Sequence, residues 1–254
     1  MIAARRSLGI LIVALAAMAA AACSPPRALE AMRVLADLDA GPGPSSLKQA
    51  TPTPRRVAVA YRVAGRAHLG DLYRSGDETL AALVLVPGAA EAGKDDARLV
   101  AFATTLARAR FAVLVPDIAS LRALHVRAAD ARDIADAVAH LSSLGDAAPD
   151  GRVGVVAISY AVGPAVIAAL EADIRDKLRF VVGIGGYYDI EAVVTFFTTG
   201  SYRERPGAPW RYRAPNAYGK WVFVAGNAER VRDPRDRTTL QAMARRKLND
   251  LEAD

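Results

Sequence analysis

Between Ala81 and Ile184 the chain repeats one pattern, in which a short continuous apolar run is followed by a longer stretch with apolar residues three and four apart. The runs are Ala81–Val86, Phe111–Val115, Val153–Ile158 and Phe180–Ile184, and the periodic stretches are Ala97–Ala109, Ala128–Leu144 and Gly163–Ala172. A strand without polar alternation is buried on both faces, so the pattern predicts an α/β fold with a mostly parallel sheet and helices on both sides. Hydrophobic residues make up 52% of the chain but aromatics only 6%. The core is therefore filled mainly by Ala, Val, Leu and Ile. Ahead of this pattern, Val57–Val63 alternates, turns at Ala64-Gly65 and returns from Ala67 to Tyr73, which predicts an antiparallel hairpin.

The flanks carry other information. Arg5 and Arg6 precede an uncharged run from Ser7 to Ala22, the layout of a secretory signal peptide over residues 1–22. The only cysteine of the 254 residues, Cys23, follows Ala20-Ala21-Ala22, and this junction resembles the lipobox of bacterial lipoproteins. That resemblance implies acylation of Cys23 and an exported, lipid-anchored protein facing the periplasm or the cell exterior. Cleavage by another signal peptidase, giving a periplasmic or secreted chain, and retention as a membrane helix are the alternatives; the apolar run is short of the roughly 20 residues that span a bilayer. Residues 23–56 contain the Pro/Gly/Ser/Thr stretch Gly41–Arg56 and are expected to be an anchor and linker segment. The folded core is then expected over 57–190, and a partial helical cap or tail over 191–254.

Ligands in open α/β sheets sit beyond the carboxyl ends of the strands, which points to the loops starting at Pro87, Pro116, Ser159 and Gly185. The loop at Ser159 carries the clearest chemistry. An apolar strand runs directly into Ser159 and then into an Ala-rich helix, with only small residues, Ala157 and Ala161, two positions to either side. Such a tight turn lifts the hydroxyl off the sheet and leaves the next amide at a helix start, where it can stabilise an oxyanion. The alternative for Ser159 is a helix cap. The strand Ala81–Val86 ends in Pro87-Gly88-Ala89, a small-residue loop suited to supply a second such amide.

Over Val57–Asp189 these features together resemble the α/β-hydrolase family, with Ala-x-Ser-x-Ala where Gly-x-Ser-x-Gly is usual. The resemblance implies Ser159 as nucleophile of an ester or acyl hydrolase, with the backbone amides of Tyr160 and Ala89 as the oxyanion hole. It also implies an acid followed by a histidine later in the chain, and no histidine follows Ser159. Asp189 is the candidate acid, although its position ahead of Ile190–Thr198 also suits a helix cap. His125, in the loop after Val115, is a candidate base in the wrong chain order. His68 and His140 are read as structural or surface residues.

Residues 199–219 are rich in Gly, Pro, Tyr and Arg, Lys220–Gly226 fits a cap helix better than a strand, and Arg237–Leu251 predicts a basic amphipathic helix. The expected sheet therefore lacks its last strands. Trp210 and Trp221 are read as packing residues or as the lining of an acyl pocket. The formal charge of +6 is modest and mixed with acids, with no nucleic-acid motif. One cysteine builds no disulfide framework or thiolate zinc site, and neither a metal nor a dinucleotide constellation is present; no cofactor is expected. The sequence thus predicts a weak or inactive relative of serine hydrolases that takes a small ester or acyl ligand. Its alternatives are a non-catalytic binding lipoprotein and the truncated product of a hydrolase gene.

Overall fold

A computed structural model describes residues 25–252 other than 77, 126 and 188. The signal segment and Cys23 lie outside the described residues. The chain divides into two units, residues 1–53 and 54–254.

Two helices lie within the segment read as an anchor and linker. Pro25–Ala40 forms helix α1 and Ser46–Ala50 forms helix α2. Asp37, only 2% exposed, accepts from the Ser45 hydroxyl and pairs with Lys48 Nζ at 3.1 Å. Lys48 Nζ also donates to the carbonyls of Gly41 (2.6 Å) and Gly43 (2.8 Å), and Ser45 caps α2. One ammonium therefore collects the free carbonyls of the Gly/Pro turn, which gives a sequence of disordered composition a fixed path.

In the second unit the hairpin strands are β1 (Arg55–Val63) and β2 (Arg66–Arg74), so the first strand starts two residues earlier than expected. Ala64 (φ +48°) and Gly65 (φ +83°) are both left-handed, the two-residue turn that matches the twist of its flanking strands. The apolar runs become β3 (Ala81–Val86), β4 (Phe111–Pro116), β5 (Val153–Ile158) and β6 (Leu178–Ile184). They assemble in the order β1-β2-β4-β3-β5-β6, with β2 antiparallel to both neighbours and the other pairs parallel.

Helix α3 (Ala97–Arg108) packs Leu99, Ala103 and Ala107 against Leu83, Leu85, Val113 and Val115 on one face. After the short α4 (Ala119–Arg122), helices α5 (Asp130–Ser143) and α6 (Val162–Ala168) cover the other face, where Ile134, Val138, Leu141 and Ala165 meet Val84, Val86, Leu114 and Val155. Successive residues of β3 thus enter different cores, which is why the strand shows no polar alternation. β6 is an edge strand, and Phe180, Val182 and Ile184 on it are each more than 40% exposed.

After β6 come α7 (Ile190–Thr199), a two-strand ribbon of β7 (Ser201–Tyr202) and β8 (Arg211–Tyr212), α8 (Ala217–Asn227) and α9 (Pro234–Glu252). Lys220–Gly226 is therefore helical, in line with the cap-helix reading. No helix among the described residues is long and apolar enough to cross a membrane.

Candidate active site

β5 delivers the chain to Ser159 at φ +53°, a left-handed conformation that costs a side-chain-bearing residue about 1–3 kcal/mol. A single tight turn, Ser159–Ala161, then feeds α6. The serine does not cap this helix: no side chain caps either the turn or α6, and among the described residues the Ser159 hydroxyl has no hydrogen-bond partner. The strain is carried without local compensation by the hydroxyl, the arrangement expected where a backbone presents a nucleophile.

Small residues make that turn possible. Ala157 and Ala161 are fully buried, and their methyl groups are accommodated. The loop after β3 crosses directly over the serine, since a methyl group on Gly88 would stand 3.3 Å from both Ser159 Cβ and the Ile158 carbonyl oxygen. The loop after β6 presses on the start of α6 just as closely: a methyl on Gly186 would meet Val162 Cγ2 at 2.2 Å. Tyr160 begins the turn after Ser159, so its amide is among the first of a helical segment, which have no carbonyl partner within it. The Ala89 backbone lies in the Gly88 loop, and its carbonyl accepts from Tyr218 Oη at 3.3 Å.

Residues after β6 form a roof. Tyr160 Oη donates to the Gly219 carbonyl at 3.0 Å, and Ala89, Leu124 and Tyr160 pack with Val222 of α8 and Leu248 of α9. Tyr160 meets Tyr187 edge-on, with ring centroids 5.9 Å apart, and leans on Phe197. Burial pushes the Tyr160 phenol up, and the neighbouring Tyr187 adds to the shift; burial raises Tyr187 as well. Both phenols therefore keep their protons, and that of Tyr160 is the one donated to Gly219. Between roof and sheet lies a cavity of about 610 Å³ bounded by Ser159, the Gly185-Gly186-Tyr187 loop, α7, Tyr202, Arg213 and the start of α8. Its walls are mostly apolar and aromatic, and among the described residues no His, Asp or Glu lines it.

The acid and base candidates sit elsewhere. Asp189 caps α7, accepting from the Ala192 amide at 3.1 Å, as its position before an apolar helix suggested. The His125 amide donates to the Ser120 carbonyl at 2.8 Å, and its Nδ1 lies 3.3 Å from an Arg127 guanidinium nitrogen; its ring does not line the Ser159 cavity. His68 lies with Nε2 at 2.8 Å from Asp136, His140 stacks on Tyr61 with centroids 4.4 Å apart, and neither lines the Ser159 cavity. Asp117 pairs with Arg122 at 3.1 Å.

Sequence reasoning missed the aromatic wall. Tyr187, Phe196, Phe197, Tyr202 and Tyr218 line the cavity, whereas neither tryptophan does. Trp210 is 58% exposed beneath Arg203, and the ammonium of Lys220 sits 5.2 Å from the Trp221 ring. The cluster of aromatics between Tyr187 and Tyr218 was the available signal. Among the described residues no group of His, Cys, Asp and Glu is arranged to hold a metal ion.

The sheet order defines an α/β-hydrolase-like fold, with the left-handed Ser159 at the turn that follows β5. No protein-family model and no curated protein matches the chain. Among solved structures it is similar to a dienelactone hydrolase from Anabaena variabilis, at 24% identity and a TM-score of 0.42, over 53% of this chain and 65% of that one. It is also similar to a dienelactone hydrolase-like promiscuous phosphotriesterase from metagenomic libraries (20% identity, TM-score 0.41, 56% of this chain and 64% of that one). A third is brefeldin A esterase, a bacterial homologue of human hormone-sensitive lipase (19% identity, TM-score 0.41, 57% of this chain and 45% of that one). The chain thus spans less than two thirds of each of these proteins.

Proposed function

We propose that this protein binds a small acyl ester in the cavity over Ser159 and transfers the acyl group to that serine slowly, without a general base. The observation that carries this reading is the left-handed Ser159 at the boundary of an open, largely aromatic pocket that no carboxylate or imidazole lines among the described residues. The serine oxygen attacks the ester carbonyl carbon and loses its proton to water or hydroxide. The Tyr160 and Ala89 amides take the charge on the carbonyl oxygen, and the alcohol departs to leave an acyl-enzyme.

Magnitudes fix the expected rate. A positioned general base contributes about 10²–10⁴-fold, and serine hydrolases stripped of a triad member keep about 10³–10⁴-fold over water from the oxyanion hole and binding. Slow but site-specific acylation follows, in a protein whose main role is to hold its ligand. The sequence of residues 1–23 supports placing this role outside the cytoplasm, at a membrane surface through Cys23. Intact-mass analysis after incubation with a fluorophosphonate tests the reading: a single adduct should accumulate over hours and be lost in Ser159→Ala. An adduct that persists in Ser159→Ala, or none after prolonged exposure, overturns it.

A further inference from the structure

Among the described residues the Ser159 cavity has a single charged side chain in its lining, Arg213, in the stretch that follows β8. Two nearby cations are engaged elsewhere: Arg211 pairs with Glu204 at 2.7 Å, and Arg203 lies over the Trp210 ring at 4.9 Å; Arg205 does not line the cavity. The Arg213 guanidinium has no hydrogen-bond or ion-pair partner among the described residues. Its backbone is fixed, because its amide donates to the Gly200 carbonyl at 2.9 Å and Gly200 closes α7 in a left-handed cap.

Asn216, which also lines the cavity, offers a second donor on the same stretch. Its Oδ1 accepts from the Gly219 amide as the cap of α8, leaving the Nδ2 hydrogens for another acceptor. With no acidic group in the lining among the described residues, this wall presents donors and positive charge, whereas the rest, apart from Ser159, is aromatic, aliphatic and glycyl. A planar guanidinium and an amide donor lining one cavity suit a carboxylate, whose two oxygens can accept from both.

We infer that the ligand is an acyl ester bearing a carboxylate away from the scissile bond, with Arg213 and Asn216 holding the carboxylate. This inference rests on the reading of Ser159 as the group that faces the ester. Charge-assisted hydrogen bonds at a partly exposed site give about tenfold or more in affinity.

Isothermal titration of the full chain carrying Ser159→Ala, which prevents turnover, tests it with two probes of equal chain length, monomethyl suberate and dimethyl suberate. The half-ester should bind about tenfold tighter at neutral pH, the advantage should shrink with added salt, and Arg213→Gln should bring the ratio close to one. Arg213→Lys should keep part of the preference, since it retains charge but not the planar fork. Arg213 is exposed, and circular dichroism confirms that the variants fold. Equal binding of the two esters, or a ratio that survives Arg213→Gln, overturns the inference while leaving the ester site intact. Failure of both esters to bind overturns the ester reading and this inference together.

Discussion

Replacing Ser159 with glycine should stabilise the protein while removing the proposed nucleophile. At φ +53° the serine occupies a region that costs an L-residue about 1–2 kcal/mol, and glycine enters it without that cost. Glycine gives back about 0.5–1 kcal/mol through the greater freedom of the unfolded chain. The hydroxyl makes no hydrogen bond among the described residues, so nothing else is lost. The net gain is about 0.5–1 kcal/mol, or about 1–4 °C in Tm for a domain of this size. Urea unfolding, read as a rise in midpoint at constant slope, measures it. Two controls isolate the cause. Ser159→Ala keeps the strained Cβ and should be neutral, whereas Ala64→Gly, at φ +48° in the β1–β2 turn, should gain a similar amount. If Ala64→Gly stabilises and Ser159→Gly does not, the turn at Ser159 holds no strain and the reasoning from its backbone fails.

Three further outcomes follow from the same structure. Asp136 is fully buried; burial alone would raise its carboxyl, but hydrogen bonds from Arg66 (2.6 Å) and His68 and the charge of Arg132 outweigh it and hold the group below the ordinary carboxylate range. A depressed folded-state pKa stabilises above the unfolded value near 4 and is lost as pH falls through the folded one, so Asp136→Asn should flatten the acid limb of a stability–pH curve. The same change should cost about 2–3 kcal/mol at neutral pH, at or below the low end for breaking a buried pair because Arg66 is 43% exposed. Gly186→Ala would drive a methyl into Val162 and should cost about 1–3 kcal/mol, with Val162→Ala restoring part of it in a double-mutant cycle measured by urea unfolding. His125→Ala should leave the rate of fluorophosphonate labelling unchanged, because the imidazole faces Arg127 rather than the cavity; a loss of an order of magnitude or more would make it the base.

How much was legible in the sequence follows from which surfaces each residue serves. β3 to β5 could be read almost to the residue because each strand feeds two cores at once, Leu83 and Leu85 on one side and Val84 and Val86 on the other. The hairpin was legible through Ala64-Gly65, whose left-handed geometry few other pairs adopt. Ser159 stood out because a strand can turn so sharply into a helix only between residues as small as Ala157 and Ala161.

The roof was not legible in the same way. Phe196, Phe197 and Tyr202 face a cavity rather than a sheet, so their spacing obeys no strand or helix period set by a flat partner. The fixed turn at residues 41–50 was hidden for a different reason. Its order comes from Lys48 and Asp37 gathering backbone and side-chain groups, and glycine and proline content alone carries no trace of that. Asp189 could be read two ways from its neighbours, and the hydrogen bond to the Ala192 amide places its carboxylate at the helix start.

The central claim is that Ser159 reacts without a base, and the pH dependence of its phosphonylation tests that most directly. A serine that must lose its proton to hydroxide gives a labelling rate that climbs about tenfold per pH unit across the neutral and mildly alkaline range, with no plateau, and that vanishes in Ser159→Ala. A rate that levels off near pH 7 with an imidazole-like midpoint would show a histidine at work and contradict the claim.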